Sequence, residues 1–183
     1  VDESAGIPAF DGYNDALVSK THAFAAYLAD ISTRADDVRN RRISKKDDNM
    51  LKITTDGRKA ALDLRLVDPK ASFTYQSKVA RCSENVADIY FKTSADKSTQ
   101  IIFCDTSTPK AGFNIYTELK DRLVLHGVPE SKIAFVHDAE TETKRSQLFA
   151  KVRSGDIRIL IGSTYKLGLG VNVQERLIAL HHI

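Results

Sequence analysis

Ser163, Thr164, Lys166, Gly168, Gly170 and Asn172 fall within one short stretch of the chain. Hydroxyls, an ammonium, an amide and backbone N–H groups are the donors that phosphate oxygens need, and glycines let a main chain approach a ligand closely. The stretch follows Ile157, Ile159 and Ile161, which alternate with Arg158 and Leu160 and read as a buried strand ending at Gly162. Loops at the carboxyl ends of strands in open α/β sheets are where ligands bind. The spacing therefore points to a phosphate-handling loop. A glycine-rich turn with no ligand is the ordinary alternative. A dinucleotide fingerprint is excluded, because Val173 stands where its third glycine belongs and the first glycine lies well beyond the strand.

Other reactive side chains point elsewhere. His137 follows a short apolar run, Ile133 to Val136, and is a candidate at a strand end. His181 and His182 are neighbours on an expected strand, so they face opposite ways and read as packing or hydrogen-bonding groups rather than metal ligands. Asp138, Glu140 and Glu142 read as charges favoured at a helix N-terminus. Cys82 and Cys104 have no Cys-x-x-Cys spacing, which argues against zinc or a redox pair and for reduced thiols, with Cys104 a small core residue.

The elements that position these groups alternate. Residues 1–13 read as linker. A long amphipathic helix is expected from Asn14 or Asp15, with Phe24, Tyr27, Leu28, Ile31, Ala35 and Val38 on one stripe. It ends in a basic run, Arg39 to Lys46, read either as a solvated helix end or as a nucleic-acid contact. Thr55 or Asp56 is the expected cap of a second helix that Pro69 stops. A third is expected over Ser77–Thr93. A strand over Gln100–Asp105 and a helix over Phe113–His126 stopped by Gly127 come next. After the strand Ile133–Val136, Thr141 caps a helix that Ser154-Gly155 ends. The strand from Ile157 and a last one from Arg176 complete an α/β alternation, which implies a mostly parallel sheet with helices on both faces.

Ser163-Thr164-x-x-x-Gly168-Leu169-Gly170-Val171-Asn172, with Asp156 to Gly162 before it, resembles motif V of superfamily two helicases and translocases in the Swi/Snf-type form. Gln100 to Asp105 resembles motif IV, the first strand of a second RecA-like lobe. Asp56-Gly57-Arg58-Lys59-Ala60-Ala61-Leu62-Asp63 is similar to a segment that precedes this lobe in large bacterial and mobile-element helicases, some joined to an adenine-specific DNA methyltransferase. The resemblance implies a RecA-like lobe over 99–183 behind a helical lead-in over 14–98. It places Ser163 and Thr164 beside DNA phosphates, with Lys166 adding charge and Thr106, Ser107 and His137 at neighbouring strand ends. Gly168, Gly170 and Asn172 would face the ATP ribose and the lobe interface. Tyr165-Lys166-Leu167 departs from the Arg-Ala-Gly that the Swi/Snf pattern favours.

The same resemblance implies partners that this sequence does not supply. No Gly-x-x-x-x-Gly-Lys phosphate loop and no Gln-x-x-x-Arg-x-x-Arg run occurs in it. ATP and magnesium are expected only with the N-terminal RecA-like lobe, and no ATPase activity is expected from this chain alone. The absence of an initiator Met and the apolar finish at Leu180–Ile183 read as a piece of a longer protein, cut before motif VI. A net charge of +3 neither requires nor excludes DNA, and no apolar run reaches membrane-span length. No signal peptide is visible, so a cytoplasmic location is expected. The rival reading is a non-catalytic interaction module with a RecA-like fold.

Overall fold

The computed structural model describes residues 12–168 and 171–183. The linker reading of 1–13 thus falls largely outside the described residues, as does Gly170. Among the described residues, helices α1 (His22–Arg39), α2 (Met50–Leu62), α3 (Lys78–Lys92), α4 (Ile115–Leu125), α5 (Glu142–Ser154) and α6 (Thr164–Leu167) accompany strands β1 (Thr99–Phe103), β2 (Ile133–Phe135), β3 (Ile159–Gly162) and β4 (Leu177–His182). The four strands form one sheet in the order β2-β3-β1-β4, and every pairing is parallel. The expected fold class, a RecA-like α/β layer with helices on both faces behind a helical lead-in, is the one observed.

Strand alternation builds the two faces. Ile102, Ile159 and Ile161 pack against α3 and α4 through Val79, Val86, Tyr116, Leu119 and Leu123. Ile101 and Leu160 point the other way, onto Phe149 and Val152 of α5 and Leu167 of α6. Ile102, Ile159, Leu160 and Ile161 are fully buried, each contributing about 2 kcal/mol by removal of its side chain from water. α3, the last helix of the lead-in, is built into the same core as β1 and β3.

Caps set the helix ends. Ser77, Asn114 and Thr141 each accept a hydrogen bond from a backbone N–H three residues on, at the starts of α3, α4 and α5. Gly155 closes α5 in the left-handed region, with φ of 76°. Two expected starts move. α1 begins at His22, because Thr21 accepts from the Phe24 N–H, and Asn14 to Lys20 form no helix. α2 begins earlier than expected, capped by Asn49, since Arg34 holds the Asp56 carboxylate at 2.9 Å. Thr54 and Thr55 lie inside α2 and donate their hydroxyls back to the Met50 and Leu51 carbonyls.

The lead-in is fastened to α4 by an ionic and aromatic cluster. Arg65 pairs with Asp63 at 2.7 Å and Glu118 at 3.1 Å, and its guanidinium lies 4.4 Å from the Phe113 ring centre. Arg122 also pairs with Glu118 and stacks 3.4 Å from the centre of Phe73.

Candidate functional site

The carboxyl ends of β1, β2 and β3 carry the candidate residues. β3 ends at Gly162, where an added Cβ would stand 2.5 Å from Leu167 Cδ1 and 2.6 Å from Val136 Cγ1. Only a glycine there lets the turn of α6 fold down onto the strand end. Gly168 has a similar requirement, since a Cβ would meet the Thr164 carbonyl at 2.6 Å. Ser163 caps this turn by accepting from the Lys166 N–H. The loop read from the sequence thus begins as one helical turn.

Thr164 faces β1. Its N–H donates to Asp105 Oδ1 at 2.7 Å and its hydroxyl to Asp105 Oδ2 at 2.8 Å. Both donors are therefore taken by a carboxylate of the neighbouring strand end. Asp105 immediately follows Cys104, whose N–H bonds to the Gly162 carbonyl, so the β1–β3 ladder itself brings the two loops together. Thr106 and Ser107 continue from Asp105, half-buried. Ser107 has φ of 58° and its hydroxyl accepts from the Ile115 N–H at 3.3 Å. It braces the first turn of α4, and its oxygen is committed to that task.

His137 lies on the 3₁₀ turn Val136–Asp138 after β2, against which α6 packs. Its ring meets Tyr116 edge to face, with centres 5.1 Å apart, while the Tyr116 hydroxyl donates to the Cys104 carbonyl at 2.7 Å. Burial, with the nearby Lys166 ammonium, holds the His137 pKa below its ordinary value, so the ring is neutral at pH 7. His137 Nδ1 is buried and has no hydrogen-bond partner among the described residues. Lys166, half-buried, is the cation of this group.

Gly168, whose N–H bonds to the Thr164 carbonyl, and Asn172 border a different surface. They line an open concavity of about 570 Å³ with Ile101, Phe103, Leu177 and Leu180 as its apolar walls. The Asn172 carbonyl accepts from Arg153 at 2.9 Å. The structure thus divides the sequence-defined loop into a polar half facing Asp105 and His137 and a half facing an apolar hollow. Among the described residues no group of three or more His, Cys, Asp or Glu side chains gathers.

The remaining reactive groups are structural. His181 Nε2 lies 2.9 Å from Gln100 Oε1, while Gln100 Nε2 donates to the Val86 carbonyl at 2.9 Å. Since the amide oxygen accepts, His181 donates, which fixes its tautomer. His182 stacks on Phe103 with ring centres 4.7 Å apart. Burial pushes the thiol of Cys82 up to about 12 and that of Cys104 to about 11, so both are inert.

Two residues that hold the two ends of the sheet are not evident from the sequence alone. In the sequence Asp105 reads only as a strand end, yet it clasps Thr164 across 59 residues of chain. Arg158 appeared as one polar residue in an apolar strand. It is buried at 4% exposure, and it donates to the carbonyls of Tyr90 at 2.9 Å, Thr93 at 3.1 Å and Ser98 at 3.0 Å and to the Thr93 hydroxyl at 3.0 Å. Its guanidinium also lies 4.0 Å from the Tyr90 ring centre. A charge inside a β-branched run was the one available signal, because buried arginines need several partners. Compared with known protein families and with curated proteins, the chain matches no family and no curated protein.

Proposed function

We propose that this chain is the second RecA-like lobe of a Swi/Snf-type DNA helicase or translocase, with a helical lead-in, and that it supplies part of the DNA-backbone track. The observation that carries this reading is the convergence of Thr164, Lys166, Asp105 and His137 at adjacent strand ends, where the motif resemblance puts phosphate contacts. Lys166 and Ser163 take the phosphate first. Thr164 joins when Asp105 releases it. Contacts of this kind are independent of sequence and sensitive to salt. ATP with magnesium, whose hydrolysis would drive lobe closure and stepping, enters only with a complementary lobe.

The test is binding of a random-sequence DNA duplex followed by fluorescence anisotropy. Affinity is expected to fall steeply with salt, and Lys166→Ala to weaken it about fivefold at low salt by loss of roughly one phosphate contact. Affinity indifferent to both salt and Lys166 would refute the reading. The chain alone is expected to hydrolyse no ATP. Turnover abolished by a point change within it would contradict that.

One observation favours a second reading, a non-catalytic interaction module. Asp105 already occupies both Thr164 donors, which leaves the loop closed on itself. A protein of that kind would show no salt-dependent DNA affinity.

A further inference from the structure

We propose that the tip of the α1–α2 hairpin is a second contact for nucleic-acid phosphates. The inference rests on the DNA reading above, and extends it to a surface remote from the strand-end loops.

The hairpin is an arm with a defined base. Val18 to Thr21 and Phe24 at the start of α1, Ala60 to Leu62 at the end of α2, and Ser77 and Lys78 at the start of α3 surround one cavity of about 150 Å³. Farther out, Arg34 joins the two helices through Asp48 at 2.7 Å and Asp56 at 2.9 Å. α1 and α2 are thus antiparallel. The last turn of α3 meets the start of β3 through Arg158, so its first turn stands at the carboxyl end of the sheet. That is the end bearing Asp105, His137 and Thr164. The tip lies about 27 Å from the base, the length of an 18-residue helix.

The tip is basic and exposed. Arg39, Arg41, Arg42, Lys45 and Lys46 all face solvent. Arg39 and Arg42 make loose pairs with Asp36 at 3.7 Å and Asp37 at 3.4 Å. Arg41, Lys45 and Lys46 form no ion pair among the described residues. Asp48 is turned inward to Arg34 and offers them nothing, which leaves Asp47, exposed beside Lys46, as the remaining acid at the tip.

Helix stability does not explain these charges. The α1 dipole favours a cation within its last turn, which accounts for Arg39 alone. Lys45 and Lys46 precede α2, the end at which a dipole favours anions. Arg41 also holds a left-handed backbone with φ of 55°, a conformation disfavoured for a residue with a side chain. The turn is nonetheless stiff, with Arg42 N–H bonded to the Asp37 carbonyl and both Asp47 and Asp48 N–H groups bonded to the Ser44 carbonyl. Against the acids Asp36, Asp37 and Asp47, the cations Arg39, Arg41, Arg42, Lys45 and Lys46 leave this preformed turn net positive, which suits a polyanion. A lipid surface would need an apolar face as well, and Ile43, 41% exposed, is the one large apolar residue between Arg39 and Lys46.

The experiment uses the whole chain, a random-sequence DNA duplex and anisotropy across a salt series. Variants are a triple change, Arg41→Asn with Lys45→Gln and Lys46→Gln, and Lys166→Ala. The triple change is expected to weaken binding about tenfold at low salt and to lower the log–log salt slope by roughly 2 to 3, one increment per lost phosphate contact. Its melting temperature, expected unchanged, controls for folding. If the triple variant binds like the parent while Lys166→Ala is impaired, the inference fails and the DNA reading stands. The converse result keeps the tip as a contact and removes the strand-end site. A parent chain with no salt-dependent DNA binding overturns both. Loss of binding to phosphatidylserine vesicles, with DNA affinity intact, would reassign the tip to a membrane and overturn the inference.

Discussion

The two ends of the sheet hold their charged groups differently. At the amino end Arg158 is buried, and its guanidinium is surrounded by carbonyls and hydroxyls from the last turn of α3 and the loop after it. At the carboxyl end Thr164 is exposed, Lys166 is half-covered, and His137 keeps a buried nitrogen without a partner among the described residues. A saturated network stabilises one structure, since any change leaves a buried acceptor unmet. A network with exchangeable partners can trade one anion for another. The contrast separates a part that holds the lobe together from one that can act.

The comparison breaks most visibly at Arg158. Arg158→Ala is expected to lower stability by about 4 kcal/mol, through the loss of several buried hydrogen bonds each contributing about 1 kcal/mol. Urea unfolding would report it as a lower midpoint, and a loss under 1 kcal/mol would show that water replaces the side chain. The partly buried pair of His181 and Gln100 gives the next largest effect. An unfolded imidazole protonates near 6.5, whereas burial, aided by His182, holds the folded one down at about 4. The folded state binds fewer protons between those values. Its contribution is therefore complete above pH 6.5 and is lost as pH falls toward 4, up to about 3 kcal/mol. His181→Gln should flatten that part of the stability–pH curve, and an unchanged slope would contradict the assignment.

The smallest change in stability is expected at the carboxyl end. Asp105→Asn should cost less than about 1 kcal/mol, because the clasp is solvent-exposed. On the proposed DNA reading, it should tighten binding about fivefold by freeing Thr164 and removing a negative charge beside the proposed phosphate position. A weaker affinity would instead make Asp105 a support for the loop, sharpening the distinction between the two ends in the other direction.

What the sequence disclosed depended on distance along the chain. The starts of α3 and α5 were legible because a capping side chain bonds three residues away, as at Ser77 and Thr141. The start of α2 was misplaced because Asp56, a good cap by type, is held by Arg34 from another helix. The stripe of α1 was read correctly from Phe24 onward, but it was carried back too far, since Leu17 is apolar yet 87% exposed. The glycines and hydroxyls after β3 mark a loop in the sequence, of which the described part begins as the turn of α6. Its division into a half facing Asp105 and a half facing the apolar hollow is not marked there, because that follows from strand order, and strand order is set by contacts across the whole lobe.

The strand order also bears on how the chain acquires its structure. β1 is made first, yet its two sheet neighbours, β3 and β4, arrive only after α4, β2 and α5. From their own synthesis until β3 is made, Ile101 and Ile102 lack the strands that flank them in the finished sheet. The helices can form early and locally, whereas the sheet must wait for ladders between distant segments, which are slow to close. A chain halted before residue 159 therefore presents an unpaired apolar strand, and it is at that stage, rather than after completion, that this lobe is most exposed to aggregation.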